Sequence, residues 1–218
     1  MHHYPRLQGY RRALARGFTL IELIAVIVIM AVLSTAAVTR FVDMRADAIV
    51  GSTDATAAAL VDGLRIANSV WRLRAPNGGG VLNLPNYADG TADFAANGYP
   101  IGTAAITTTD ILSNLRCMEL FRLTVRGTPV TTMAEGYPAP RGTRFLALGG
   151  QTICGYYVLN SSGTLYEMGP GSCNLLLRYA LNTWLGFSFP GAPASVDIAV
   201  EGSDCGTAQP AFRGVGLN

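Results

Sequence analysis

The chain has 218 residues, half of them apolar and only 14% charged, which excludes a largely disordered polymer and fits one ordinary domain plus an appended element. It contains no lysine, and its only two histidines are His2 and His3. Past residue 17, a Ser-His-Asp or Cys-His site, a lysine Schiff base, a Walker lysine and a histidine metal site are therefore excluded. The formal charge of +2 comes from a basic start: without the first 17 residues and their four arginines, twelve arginines face fourteen acids, so the remainder carries about −2 and gives no sign of nucleic-acid binding.

The first element is a basic leader, with Arg6, Arg11, Arg12 and Arg16 and no acidic residue before Phe18. From Phe18 to Val38 follow 21 residues with one charge, Glu22. About 20 apolar residues in a helix cross the hydrocarbon core, so this segment is long enough to span a membrane. The arginines before it predict a cytoplasmic leader and an exported remainder. A cleaved secretory signal needs a small-residue site, which Ser34-Thr35-Ala36-Ala37 imitates, but the helical pattern runs through it. A plain signal anchor leaves Glu22 without a reason, because a carboxylate inside a membrane helix is costly and marks a function.

The helical pattern continues past the apolar run. No proline occurs between Phe18 and Pro76, and Ile49, Thr53, Ala57, Leu60, Leu64, Ala67 and Trp71 recur at steps of three and four. That is one face of an amphipathic helix. A helix over 18–74 would be roughly 85 Å long at 1.5 Å per residue. The Pro76-Asn77-Gly78-Gly79-Gly80 run ends it, and a Gly-, Asn- and Tyr-rich loop leads to about Gly102.

A helix is predicted over 109–121 with Asp110 as its N-cap. Strands are predicted over 144–148, 153–159 and 164–168, the last two joined by a turn at Asn160-Ser161-Ser162-Gly163. Asn160 also opens a glycosylation sequon, but a tight turn is the plainer use of those residues. Residues 174–186 read as a short helix or an apolar strand pair, and 195–200 as an edge strand. Trp71, Trp184, Phe187 and Phe189 are core candidates. Cys117, Cys154, Cys173 and Cys205 all lie in the exported part and form no C-x-x-C pair, which favours disulfides. Three connectivities are open. The order of the elements favours 117–154, stapling helix to sheet, with 173–205 closing a C-terminal loop.

Arg16-Gly17-Phe18-Thr19-Leu20-Ile21-Glu22 before an apolar run resembles the class III signal of type IV prepilins and type II secretion pseudopilins. The resemblance implies an α+β pilin fold: a long N-terminal helix, transmembrane in its first half, packed under a head with an antiparallel sheet. It implies a leader at 1–17, a transmembrane and filament-core helix at 18–45, an amphipathic helix at 46–75, and a globular head at 76–218. It further implies cleavage between Gly17 and Phe18 by a prepilin peptidase, N-methylation of Phe18, and Glu22 pairing with a neighbouring subunit's new ammonium. An unpaired carboxylate in the helix core would cost roughly several kcal/mol. Asn97-Gly98-Tyr99-Pro100-Ile101-Gly102 and 40–48 resemble segments of mannose-sensitive haemagglutinin (MSHA) type pilins.

The function so implied is that of a major or minor pilus subunit for surface attachment, not an enzyme. A type II secretion pseudopilin is the alternative, and a membrane-anchored periplasmic enzyme or binding module fits less well. Expected partners are other pilins, the peptidase and an inner-membrane assembly platform, with the inner membrane as first location and an extracellular pilus as last. No cofactor, metal or nucleic acid is expected. Asp197, Glu201 and Asp204 invite comparison with the C-terminal calcium loop of major pseudopilins, as do Asp89 and Asp93. Neither set has EF-hand spacing, and a solvated acidic surface is the plainer reading.

Overall fold

The computed structural model describes residues 18–75, 79–103, 112–150, 152–167, 173–181, 183–184, 187–188, 194–201 and 215–217. Helix α1 runs Leu20–Arg74. The chain divides into two compact units at Ile49–Val50, so α1 contributes residues to both. Good helix formers, the lack of proline and the long apolar period explain its unbroken course. In the first unit, the Leu20–Val38 segment is nowhere buried and is long and apolar enough to cross a membrane. Ser34 and Thr35 do not interrupt it, because their hydroxyls donate back to the carbonyls of Met30 and Val32 at 2.7 Å.

In the second unit, α1 buries Thr53, Ala57, Leu60, Val61, Leu64, Ala67 and Asn68, the face that the sequence period marks out. The loop after α1 folds back onto it. Leu84, Ala92 and Phe94 form a cluster with Ala67, and Val70 and Trp71 pack alongside. Two short strands, β1 (Asp93–Phe94) and β2 (Pro100–Gly102), pair antiparallel within this loop.

Helix α2 (Asn114–Thr124) is capped by Ser113, whose hydroxyl accepts from the Arg116 N–H at 3.4 Å. The predicted cap, Asp110, lies outside the described residues; the helix starts later and runs three residues beyond the expected end. Ser113 accordingly takes the N-cap role that Ser and Asp share. Strands β3 (Val130–Thr132), β4 (Phe145–Gly150), β5 (Ile153–Val158), β6 (Asn174–Ala180), β9 (Ser195–Glu201) and β10 (Val215–Gly216) form one sheet in the order β10-β9-β6-β5-β4-β3. A separate two-residue pair, β7 (Thr183–Trp184) with β8 (Phe187–Ser188), precedes β9 in the chain. The Trp184 and Phe187 side chains and the whole of Phe189 fall outside what is described.

The sheet is mixed, since β3 pairs parallel to β4 while the other neighbours are antiparallel. On one face, Phe145, Ala147, Cys154, Tyr156, Val158, Leu175, Leu177, Tyr179 and Val196 are buried at alternate positions. Phe121 of α2 stacks obliquely on Phe145 and Tyr156, with centroids 5.2 and 4.7 Å away. Gly149 lets α2 approach β4 closely: a Cβ there would overlap the Leu112–Ser113 backbone, and its N–H donates to Asn114 Oδ1 at 2.7 Å.

Two strand expectations change. Residues 164–167 make only isolated bridges, Leu159 to Leu165 and Glu167 to Asn174, and the third strand of the antiparallel core is β6 instead. Its Leu175, Leu176 and Leu177 are all buried while Arg178 is exposed, so its sequence lacks the alternation that marks a strand. Residues 195–200 form a strand, but β10 lies outside it, so it is not the edge.

Candidate processing and assembly site

Phe18 and Thr19 precede the first helical residue, and the Phe18 side chain is exposed. The start of α1 is built as a capping box. The Thr19 backbone N–H donates to Glu22 Oε2 at 2.8 Å and its hydroxyl donates to the same oxygen at 3.0 Å. The Glu22 N–H donates in return to Thr19 Oγ1 at 3.3 Å. Two of the helix's orphan donors, the N–H groups of Thr19 and Glu22, are thereby satisfied, and a negative charge sits at the positive end of the helix. Thr19 was not singled out as a site residue, although Thr-x-x-Glu before an apolar run is a readable capping signal. Gly17, like all of residues 1–17, lies outside the described residues.

The disulfide joins Cys117 of α2 to Cys154 of β5, with Cα atoms 5.5 Å apart. Cys173 is also disulfide-bonded, and Cys205 lies outside the described residues.

A polar strap ties the loop after α1 to the rest of the head. Asn68 Nδ2 donates to the Gly98 carbonyl at 2.9 Å, and Asn97 Nδ2 to that of Leu181 at 2.8 Å. The Tyr99 hydroxyl donates to the Leu217 carbonyl at 2.9 Å, and the Tyr179 hydroxyl to that of Pro100 at 3.1 Å. Residues 97–101 thus hold α1, the end of β6 and the C-terminal segment together. Gly98, at φ +80°, is needed twice: a Cβ would be strained there and would also strike Trp71. Burial raises the hydroxyl pKa of Tyr99, and raises those of Tyr156 and Tyr179 well above the usual 10.

A buried ion pair anchors the same loop from below. Arg116 Nη2 donates to Asp93 Oδ2 at 2.7 Å and Arg116 Nε to the Ile101 carbonyl at 2.9 Å, while Asp93 Oδ1 accepts the Asn83 N–H at 2.8 Å. Both residues are almost fully buried. Asp93 is thus held in a buried ion pair. Sequence reading missed Arg116, because nothing local distinguishes it from a solvated helix arginine. Asp197 forms a two-pronged ion pair with Arg178 on the adjacent strand. Asp89 is exposed, the Glu201 side chain is not described, and Asp204 lies outside the described residues. Among the described residues no cluster of three metal-ligating side chains exists. Asn160 uses its amide within its own turn: Nδ2 donates to Thr164 Oγ1 at 2.6 Å, and Oδ1 accepts the N–H groups of Ser162 and Thr164.

Residues 12–38 match the model of the prokaryotic N-terminal methylation motif. The chain is also similar to the type IV narrow pilus major component PilA5 of Thermus thermophilus, with 53% identity over 53 residues, 24% of this chain and 46% of that protein. It thus spans about half the length of that relative. No solved structure matches. The likeness to proteins of this kind is carried by the N-terminal segment, where residues 12–38 match the methylation motif and Leu20–Val38 forms an exposed apolar helix.

Proposed function

We propose that the chain is a precursor subunit of a type IV pilus, cut between Gly17 and Phe18, methylated on Phe18, and assembled through the Leu20–Val38 helix. The observation that carries this reading is the placement of Glu22 in that helix. A 19-residue segment with every side chain exposed and a single carboxylate near its start suits lipid first and a bundle of like helices later. Within such a bundle the carboxylate needs a cation, and the ammonium freed on Phe18 of a second copy supplies one at the same depth. The pair sets axial register, as a polar residue does in a coiled coil. The head presents the surface that meets the outside, and the MSHA-like strap at residues 97–102 supports a role in surface attachment over a secretion piston. A second disulfide, Cys173–Cys205, closes the C-terminal part of the head. The subunit works as a structural element and not as an enzyme.

The test is the mature N-terminus together with sheared filaments. Mass spectrometry is expected to find a chain starting at N-methylated Phe18, recovered in the filament fraction. Glu22→Ala is expected to leave insertion and cleavage intact and to abolish filaments. A leader retained on the assembled protein would refute the reading.

A further inference from the structure

The face of the sheet turned away from α2 is uneven. Strand register sets Leu148, Gly155, Arg178 and Asp197 in one row across β4, β5, β6 and β9, and Leu146, Tyr157, Leu176 and Ala199 in the next. Ala139 and Leu159 cover Leu146 at one end. The same face holds a cavity of about 450 Å³, lined by Leu148, Ile153, Gly155, Tyr157, Leu176 and Arg178, and that volume lies in the range that holds small ligands. Gly155 makes this hollow. It sits within a central strand at a φ that any residue adopts, so the backbone does not require a glycine there. Glycine weakens a strand interior and marks a place where something approaches closely. A Cβ at Gly155 would come within 3.2 Å of the Tyr157 ring and 3.5 Å of Leu176 Cδ1. Its absence lets both side chains lie against the strand as an apolar bed. Gly150 lines the same cavity and leaves open space, since nothing lies within 4 Å of a Cβ there.

The chemistry of the lining selects the occupant. Among its described residues Arg178 alone is charged, and Asp197 beside it balances that charge, accepting from Nε at 3.0 Å and from Nη2. The hollow therefore offers no net charge to attract an anion or a cation. A wholly apolar ligand would take a part-exposed ion pair out of water with no hydrogen bond to offset the loss. What fits is a neutral molecule with a flat C–H face for the Tyr157 and Leu176 bed, and with hydroxyls that both donate and accept at the ion-pair edge. We propose that this hollow on the outer face of the sheet binds a neutral saccharide, one pyranose ring lying over Gly155. The inference rests on the surface-attachment part of the reading above and deepens it by naming the chemistry that the head grips.

The experiment uses the full chain in a zwitterionic detergent, which has no sugar headgroup. Glucose, galactose, xylose and N-acetylglucosamine are the probes, and contact is read by saturation-transfer-difference NMR. At least one of them is expected to receive saturation above a detergent-only blank, strongest on the C–H protons of one ring face. Galacturonate and glucosamine carry a charge and are expected to give weaker signals. Gly150→Val fills the hollow from an open position and is expected to lower the signal about fivefold or more at an unchanged thermal midpoint. Arg178→Met together with Asp197→Leu removes the polar edge without stranding a charge. That pair is expected to lower the sugar signal about tenfold and to raise that of cyclohexanol. Signal from none of the neutral sugars, a stronger one from either charged sugar, or wild-type signal in either variant would overturn the proposal. Binding is read on the unassembled subunit, so those outcomes leave the filament reading standing. A subunit that binds sugar yet is absent from sheared filaments would instead remove the filament reading alone.

Discussion

The Asp93–Arg116 pair offers the sharpest test of how the head is held together. Replacing Asp93 with Ala leaves the Arg116 guanidinium inside the head with the Ile101 carbonyl as its hydrogen-bond partner, and it also strands the Asn83 N–H. One nitrogen, Nη1, has no partner among the described residues, so the arginine has little left to compensate the loss. Breaking a buried pair from one side costs about 3–5 kcal/mol, a large part of the roughly 5–15 kcal/mol that holds a typical domain folded. The loop over 79–103 loses its anchor in the same step, because Asp93 opens β1 and Ile101 sits in β2. Urea unfolding of the full chain in detergent micelles, followed by near-ultraviolet circular dichroism, reads the cost as a fall in the midpoint. Limited proteolysis is expected to cut first between residues 79 and 103. The double replacement Asp93→Leu with Arg116→Met removes both charges and is expected to recover most of the loss. A cost below about 1 kcal/mol for Asp93→Ala, with the double variant no better, would show that the pair does not anchor the loop.

Tyr156 and Tyr179 predict alkaline sensitivity. Each hydroxyl has a raised pKa in the folded protein, so the unfolded chain loses its proton first and binds fewer protons above about pH 10. Their contribution is complete below that pH and is lost as pH rises toward the folded values. Thermal unfolding between pH 8 and 11 is expected to show a falling midpoint, with a shallower fall in Tyr156→Phe; an unchanged slope in that variant would contradict the burial argument. The helical glycines predict opposite signs. At Gly51 a Cβ meets nothing within 4 Å, and Gly51→Ala is expected to stabilise by about 0.5–1 kcal/mol. At Gly63 a Cβ would lie 2.7 Å from the Thr124 carbonyl oxygen, so Gly63→Ala is expected to destabilise by about 1–3 kcal/mol through forced separation of α1 and α2. Calorimetry of both variants checks the pair, and equal shifts would refute the close approach.

What the sequence determined by itself is everything that depends on neighbours along the chain. The course of α1 over Leu20–Arg74 was legible because periodicity, the absence of proline and the glycine run after Pro76 are local signals. The capping box is equally local, since Thr19 and Glu22 lie three residues apart. The turn at Asn160 follows from residues within four positions of one another. Tertiary structure decided what depends on distant partners. Leu175–Leu177 became part of a central strand because β5 and β9 pair on either side of β6, and a run of leucines carries no period by which to say so. The segment over 164–167 failed to become a full strand because β6 took the place beside β5. Arg116 turned from a surface charge into a buried anchor because Asp93, 23 residues earlier, folds back beneath it. The Asn97–Ile101 strap gathers Asn68, Leu181 and Leu217 from three parts of the chain. The physical reason is the range of the forces: helix and turn signals act within a few residues, whereas desolvation of a charge or a hydroxyl depends on whichever segments close over it.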